Sequence, residues 1–169
     1  PVTAKTESYD GTTWTEVNDL NTARNALAAA GTQTSALAFG GEPVPGSGNK
    51  NERWNGTCWS VVSTLGTGRK LVGGAGEDNE AVLAFGGYTT TNVAVTEDWN
   101  GSAWTEVADL NTARWGHGSA GTSAEAALAF GGSPPTTGKT ESWNGTSWTE
   151  VNDLNTGRIS LAGFKSATS

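Results

Sequence analysis

Residues 143–148 read "WNGTSW", and near copies stand at 54–59 ("WNGTCW"), 99–104 ("WNGSAW") and 9–14 ("YDGTTW"). Three readings compete: a glycan acceptor, a ligand-binding box, or the corner of a repeating scaffold. The second tryptophan recurs as Trp14, Trp59, Trp104 and Trp148, at steps of 45, 45 and 44 residues. Arg24, Arg69, Arg114 and Arg158 keep the same step, as do the Gly-Gly pairs at 40–41, 86–87 and 131–132. A self-similar period of about 45 residues marks a repeat architecture, and every local motif is read within it.

One period has the texture of four short strands. After Arg114 come "WGHGSAG", the apolar run "AALAFGG" at 126–132, "TESW" at 140–143 and "WTEV" at 148–151, separated by Gly, Asn, Ser and Thr turns. No helical periodicity competes with this pattern. The "ALAF" run lacks polar alternation, which predicts a strand covered on both faces. The strand after each Arg is built from small residues, "ALAAAG" at 26–31, "LVGGAG" at 71–76 and "GHGSAG" at 116–121, as a crowded central axis requires. Four-stranded sheets repeated radially with small residues innermost describe a β-propeller.

In these features the chain resembles the kelch-repeat propellers: a hydrophobic strand ending in Gly86-Gly87, an aromatic on the third strand (Trp99) and a Trp on the fourth (Trp104), with equivalents in the other repeats. The resemblance covers essentially the whole chain. It departs from the family in having Trp where Tyr is usual and a five-residue step between the two aromatics. The wording "TESWNGTSWTEVNDLNT" with "ALAFGG" is also similar to tandem repeats of uncharacterised marine phage and environmental proteins. The resemblance implies an all-β, kelch-like propeller of four-stranded antiparallel blades. Within one domain over 1–169, the expected divisions are strands three and four of a split blade at 1–18, blades at 19–62, 63–107 and 108–151, and the first strand of the split blade at 152–169.

Asn-Gly or Asp-Gly between two strand-like runs is a strong hairpin signal, and a tight two-residue turn would place both residues at positive φ. "WNGTSW" therefore reads as the hairpin between strands three and four. Asn55, Asn100 and Asn144 each fit the glycan acceptor pattern, yet Asp10 at the equivalent place makes the same turn and accepts no glycan. The scaffold reading is preferred, with glycan occupancy at the tips open to a chain made in a secretory pathway.

Aligned with the repeats, residues 158–169 match a first strand, and Ser169 falls opposite Ser35, just before "ALAFGG". The split fourth unit thus lacks its second strand. Two readings follow: a four-bladed ring whose last blade is completed by a neighbour, or part of a longer array. Open strand edges favour the second. The missing strand is expected from flanking sequence or from other copies of the chain.

Ten Lys and Arg against 17 Asp and Glu give a net charge of −7, which makes nucleic acid and anionic membrane surfaces poor partners. No apolar run approaches ~18 residues, so no membrane insertion is expected. Cys58 is the sole cysteine, which excludes an internal disulfide framework.

Residues that recur belong first to the scaffold. Glu7, Glu52, Glu97 and Glu141 open the third strand of each unit and Arg24, Arg69, Arg114 and Arg158 the first, which predicts a structural ion pair or Arg-to-backbone clamp in each. Function is sought where repeats differ. At the entrance of the first strand the chain carries Asn25, Lys70, Trp115 and His117, candidates for a binding site at one mouth of a central channel. The opposing reading packs Trp115 between blades and buries His117. The long loop "GEPVPGSGNKNER" at 41–53 is a second candidate for recognition. With one His and one Cys, no catalytic constellation or metal ligand set assembles, and no cofactor is expected. The class expected is a non-enzymatic structural or adhesive module of a phage particle or extracellular assembly, binding protein or glycan through its loops. Its rival is a carbohydrate-binding or carbohydrate-active propeller with a site at the channel mouth.

Overall fold

The computed structural model describes residues 2–42 and 48–164. The centre of the long loop, residues 43–47, and the end of the last strand-like segment, residues 165–169, lie outside the described residues. The described chain is all-β, with one two-stranded and three four-stranded antiparallel sheets. A hairpin of β1 (Glu7–Tyr9) and β2 (Trp14–Glu16) comes first. Then follow three meanders: β3 (Ala28–Gly31), β4 (Ala36–Phe39), β5 (Asn51–Trp54) and β6 (Trp59–Val62); β7 (Gly73–Gly76), β8 (Val82–Phe85), β9 (Thr96–Trp99) and β10 (Trp104–Val107); β11 (Gly118–Ser123), β12 (Ala126–Phe130), β13 (Thr140–Trp143) and β14 (Trp148–Val151).

The repeated Trp-Asn-Gly motif closes the last hairpin of each meander. Trp54 faces Trp59, Trp99 faces Trp104 and Trp143 faces Trp148 across the strands, with ring centroids 5.3, 5.5 and 5.4 Å apart. The turn differs from the two-residue form that Asn-Gly suggests. Four residues link the strands, and the Gly alone takes positive φ, 91° at Gly56 and 89° at Gly101 and Gly145. The Asn folds its Oδ1 back to accept from the amides two and three residues on, as Asn144 does from Thr146 and Ser147 at 3.0 and 2.9 Å. Asp10 accepts from Thr12 and Thr13 in the same way, both at 2.8 Å. What Asn and Asp share here is the acceptor, which is why the sequence interchanges them.

Each third-strand Glu then fastens its sheet. Glu141 accepts through Oε2 from the Asn111 amide and Nδ2, at 2.7 and 2.9 Å, and through Oε1 from the Thr112 amide and Arg114 Nη2. Arg114 Nη1 donates in turn to the Gly131 and Lys139 carbonyls, at 3.1 and 2.7 Å. One buried ion pair thereby ties the entry loop to the ends of the second and third strands, and no charge is left uncompensated. Arg24 with Glu52 and Arg69 with Glu97 repeat the arrangement, all of them buried. The fourth set does not meet: Glu7 and Arg158 are exposed, and they form no ion pair with each other.

The sheets stack face to face. Leu37 and Phe39 of β4 pack on Val82, Ala84 and Trp99 of the next sheet, with Phe39 and Trp104 centroids 5.5 Å apart. Leu83 and Phe85 of β8 pack on Ala127, Ala129, Trp143 and Trp148, with Phe85 and Trp148 centroids 4.8 Å apart. The second strands β4 and β8 are buried along nearly their whole length, as their unbroken apolar runs predict. β12 is not: Leu128 and Phe130 are half-exposed, because no further sheet among the described residues covers that face. Trp Nε1 groups rivet the stack, Trp59 to Thr6 Oγ1 at 3.2 Å and Trp148 to Thr96 Oγ1 at 3.1 Å. The first strands of the three sheets lie side by side, β7 between β3 and β11. At Gly74 a Cβ would fall 2.7 Å from Phe39 Cζ, so the small residues of these strands are a packing requirement.

Candidate functional site

Two residues after each recurrent Arg the backbone makes one left-handed step, at Ala26 (φ 52°), Leu71 (φ 55°), Gly116 (φ 61°) and Ser160 (φ 59°). The step is strained for the three residues that carry a Cβ. It also separates the side chains before and after it. Asn25, Lys70 and Trp115, before the step, form bridges with the residues following the Gly-Gly pairs or their equivalents, Glu42, Tyr88 and Ser133. Leu27, Val72, His117 and Leu161, after it, turn toward the sheet junctions and the first strands of the sheets.

The outer set forms a crescent across three sheets. Lys70 Nζ pairs with Glu42 Oε1 and lies 5.7 Å from the centroid of Tyr88. Trp115 meets Tyr88 edge-on, centroids 6.1 Å apart. Two half-buried aromatic rings, a cation and a carboxylate thus share one surface, with Asn25 exposed beside Glu42. Such a surface can stack on the apolar face of a sugar or a peptide side chain while its charged groups hydrogen-bond to the polar edge. Tyr88 was not among the residues singled out from sequence, and Glu42 was included only as part of the loop 41–53. The signal specific to both was their place directly after Gly-Gly, opposite the variable position after Arg.

His117 does not join this crescent. It is buried against Phe85, ring centroids 5.6 Å apart, and neither ring nitrogen has a hydrogen-bond partner in good geometry. Burial, with the nearby Arg114 charge, lowers its pKa to about 3, so the ring stays neutral at physiological pH. His117 lines a partly open cavity of about 320 Å³, which Ala29 of β3, Gly74 of β7, Ser119 of β11 and Leu161 also border. Asn55, Asn100 and Asn144 stand exposed at the hairpin tips, and Cys58 is a half-buried free thiol at one of them. Among the described residues no three His, Cys, Asp or Glu side chains are gathered as a metal site.

No protein-family profile matches the chain, and no curated protein matches it significantly.

Proposed function

We propose that the chain is a kelch-like β-propeller unit serving as a non-enzymatic structural or adhesive module of a phage particle or extracellular assembly, which binds protein or glycan through the face bearing Lys70, Tyr88 and Trp115. The observation that carries this reading is the crescent itself. The clamps repeat in the three four-stranded sheets, whereas the positions just before the left-handed steps and the residues they bridge differ in every repeat and bring two aromatic rings and an ion pair onto one surface. Variable residues on a rigid repeated frame are how binding faces are built. The radial reading is supported by the cavity, to which β3, β7, β11 and residues 161–164 all contribute, as four inner strands around one axis would. That border favours a ring of four units over the longer array that open strand edges suggest.

A specific observation also supports glycan as the ligand class. Trp115 and Tyr88 present rings edge to face beside a Lys–Glu pair, a combination suited to the mixed polar and apolar faces of a sugar. The test is a glycan array probed with the chain and with Trp115→Ala, Tyr88→Ala and Lys70→Ala. Saccharide binding lost in these variants and kept in His117→Leu assigns the face to glycans. Binding that survives all three substitutions overturns the assignment of the crescent as the binding face.

A further inference from the structure

The crescent holds one positive charge, and the fold neutralises it in place. Over its six bridged positions, Asn25, Glu42, Lys70, Tyr88, Trp115 and Ser133, one Lys stands against one Glu and the formal charge sums to zero. Lys70 Nζ donates to Glu42 Oε1 and lies over the Tyr88 ring, 5.7 Å from its centroid. A carboxylate and the negative face of an aromatic ring thus hold the same ammonium.

These groups are positioned by the backbone beneath them. Lys70 and Tyr88 exchange reciprocal main-chain hydrogen bonds of 3.0 and 2.8 Å, Trp115 and Ser133 exchange two of 3.1 Å, and the Glu42 amide donates to the Asn25 carbonyl at 2.9 Å. Leu71 N donates to Ala26 O at 2.9 Å, which joins the first sheet to the second beside the ion pair. A ligand meeting such a surface orders little of the protein on binding. The Lys70 and Glu42 side chains remain 25 % and 39 % exposed, so their charged groups are within its reach.

A surface of this kind discriminates by charge. A carboxylate or sulfate on the ligand has either to displace Glu42 from Lys70 or to lie beside the Glu42 carboxylate. Uncharged hydroxyls donate to Glu42 and accept from Lys70 with the pair intact. The net charge of −7 opposes an anionic ligand further. We propose that the crescent selects neutral glycans over sialylated or sulfated ones, and that Glu42 is the residue that sets this selectivity. The inference rests on the reading of this face as glycan-binding, to which it adds the charge class of the sugar and the side chain that determines it.

The test is an array that pairs each neutral glycan with its sialylated and sulfated forms, probed with the whole chain, with Glu42→Gln, and with Glu42→Gln combined with Lys70→Gln, the bound glycans then being titrated by calorimetry. The parent is expected to prefer the neutral member of each pair by about tenfold or more, with an affinity that changes less than about twofold as ionic strength rises from about 0.05 to 0.5 M. Glu42→Gln frees the Lys70 ammonium and is expected to raise the affinity for the acidic member about tenfold, a gain that salt weakens and that the added Lys70→Gln removes. Equal or tighter binding of the acidic forms by the parent overturns the proposal, as does an unchanged preference in Glu42→Gln or a gain that persists without Lys70. Those outcomes leave the face a glycan site, whereas a chain that binds no glycan overturns that reading and this one together.

Discussion

Arg69 and Glu97 meet where solvent does not reach, the guanidinium Nη1 donating to the carboxylate Oε1 on β9. The same carboxylate accepts from the Gly66 amide at 2.7 Å, so it also holds the entry loop. Glu97→Gln would leave a buried guanidinium without its counter-charge, and a loss of about 3–5 kcal/mol is expected. Glu7→Gln, at the equivalent but unpaired position, is expected to stay within about 0.5 kcal/mol. Urea unfolding of the two variants beside the parent, with an unchanged slope, measures both.

The hairpin tips make a finer distinction. If the shared acceptor is what the turn needs, Asn144→Asp is close to neutral, while Asn144→Ala loses two backbone partners and costs about 1 kcal/mol. Thermal unfolding of the pair decides it. Equal losses in both would instead mean that the Nδ2 group, which Asp lacks, carries the turn.

His117 makes the fold sensitive to acid in a defined window. Its pKa in the folded chain is about 3 and its ordinary value is 6.5. Below 6.5 the unfolded chain takes up a proton that the folded chain refuses. The contribution is therefore fully present above 6.5 and is lost progressively as the pH falls toward 3. Over that interval unfolding is expected to take up close to one more proton in the parent than in His117→Leu, a slope of about 1.4 kcal/mol per pH unit. Denaturant titrations at pH 7, 5 and 4 give the comparison, and parallel pH dependence in the two proteins contradicts it.

Much of this was legible in the sequence, for a physical reason. Strand number and sheet order follow from turn residues and apolar runs that recur at a fixed step, and the pairing of each buried Arg with a Glu of its own unit follows from the need to compensate buried charge. The site was less legible. Residues two apart on an extended strand share a face, so Trp115 and His117 read as neighbours at one mouth. The left-handed residue at 116 separates them, and at 26 and 71 the same step is taken by Ala and Leu, which give no sign of it. Tyr88 and Glu42 join the surface through bridges that close only once the strands are paired.

The junctions between sheets should differ in strength at one atom. Trp148 Nε1 donates to Thr96, whereas Trp104 Nε1 is buried without a partner. Thr96→Val is expected to cost about 1–3 kcal/mol by orphaning the indole N–H. Trp148→Phe carries its own packing cost, but combined with Thr96→Val the loss should fall short of the sum of the two single losses, and a double-mutant cycle by urea unfolding reports the coupling.

The radial arrangement is tested most directly by distances between spin labels at three equivalent hairpin positions, Cys58, Ala103→Cys and Ser147→Cys, taken two at a time with Cys58→Ser where needed. Four units around one axis place successive tips at equal separations and make the 58-to-147 distance about 1.4 times the step. A ratio near that value, with both steps alike, is the expected result. A ratio approaching about 2, as sheets stacked in a line would give, contradicts the ring.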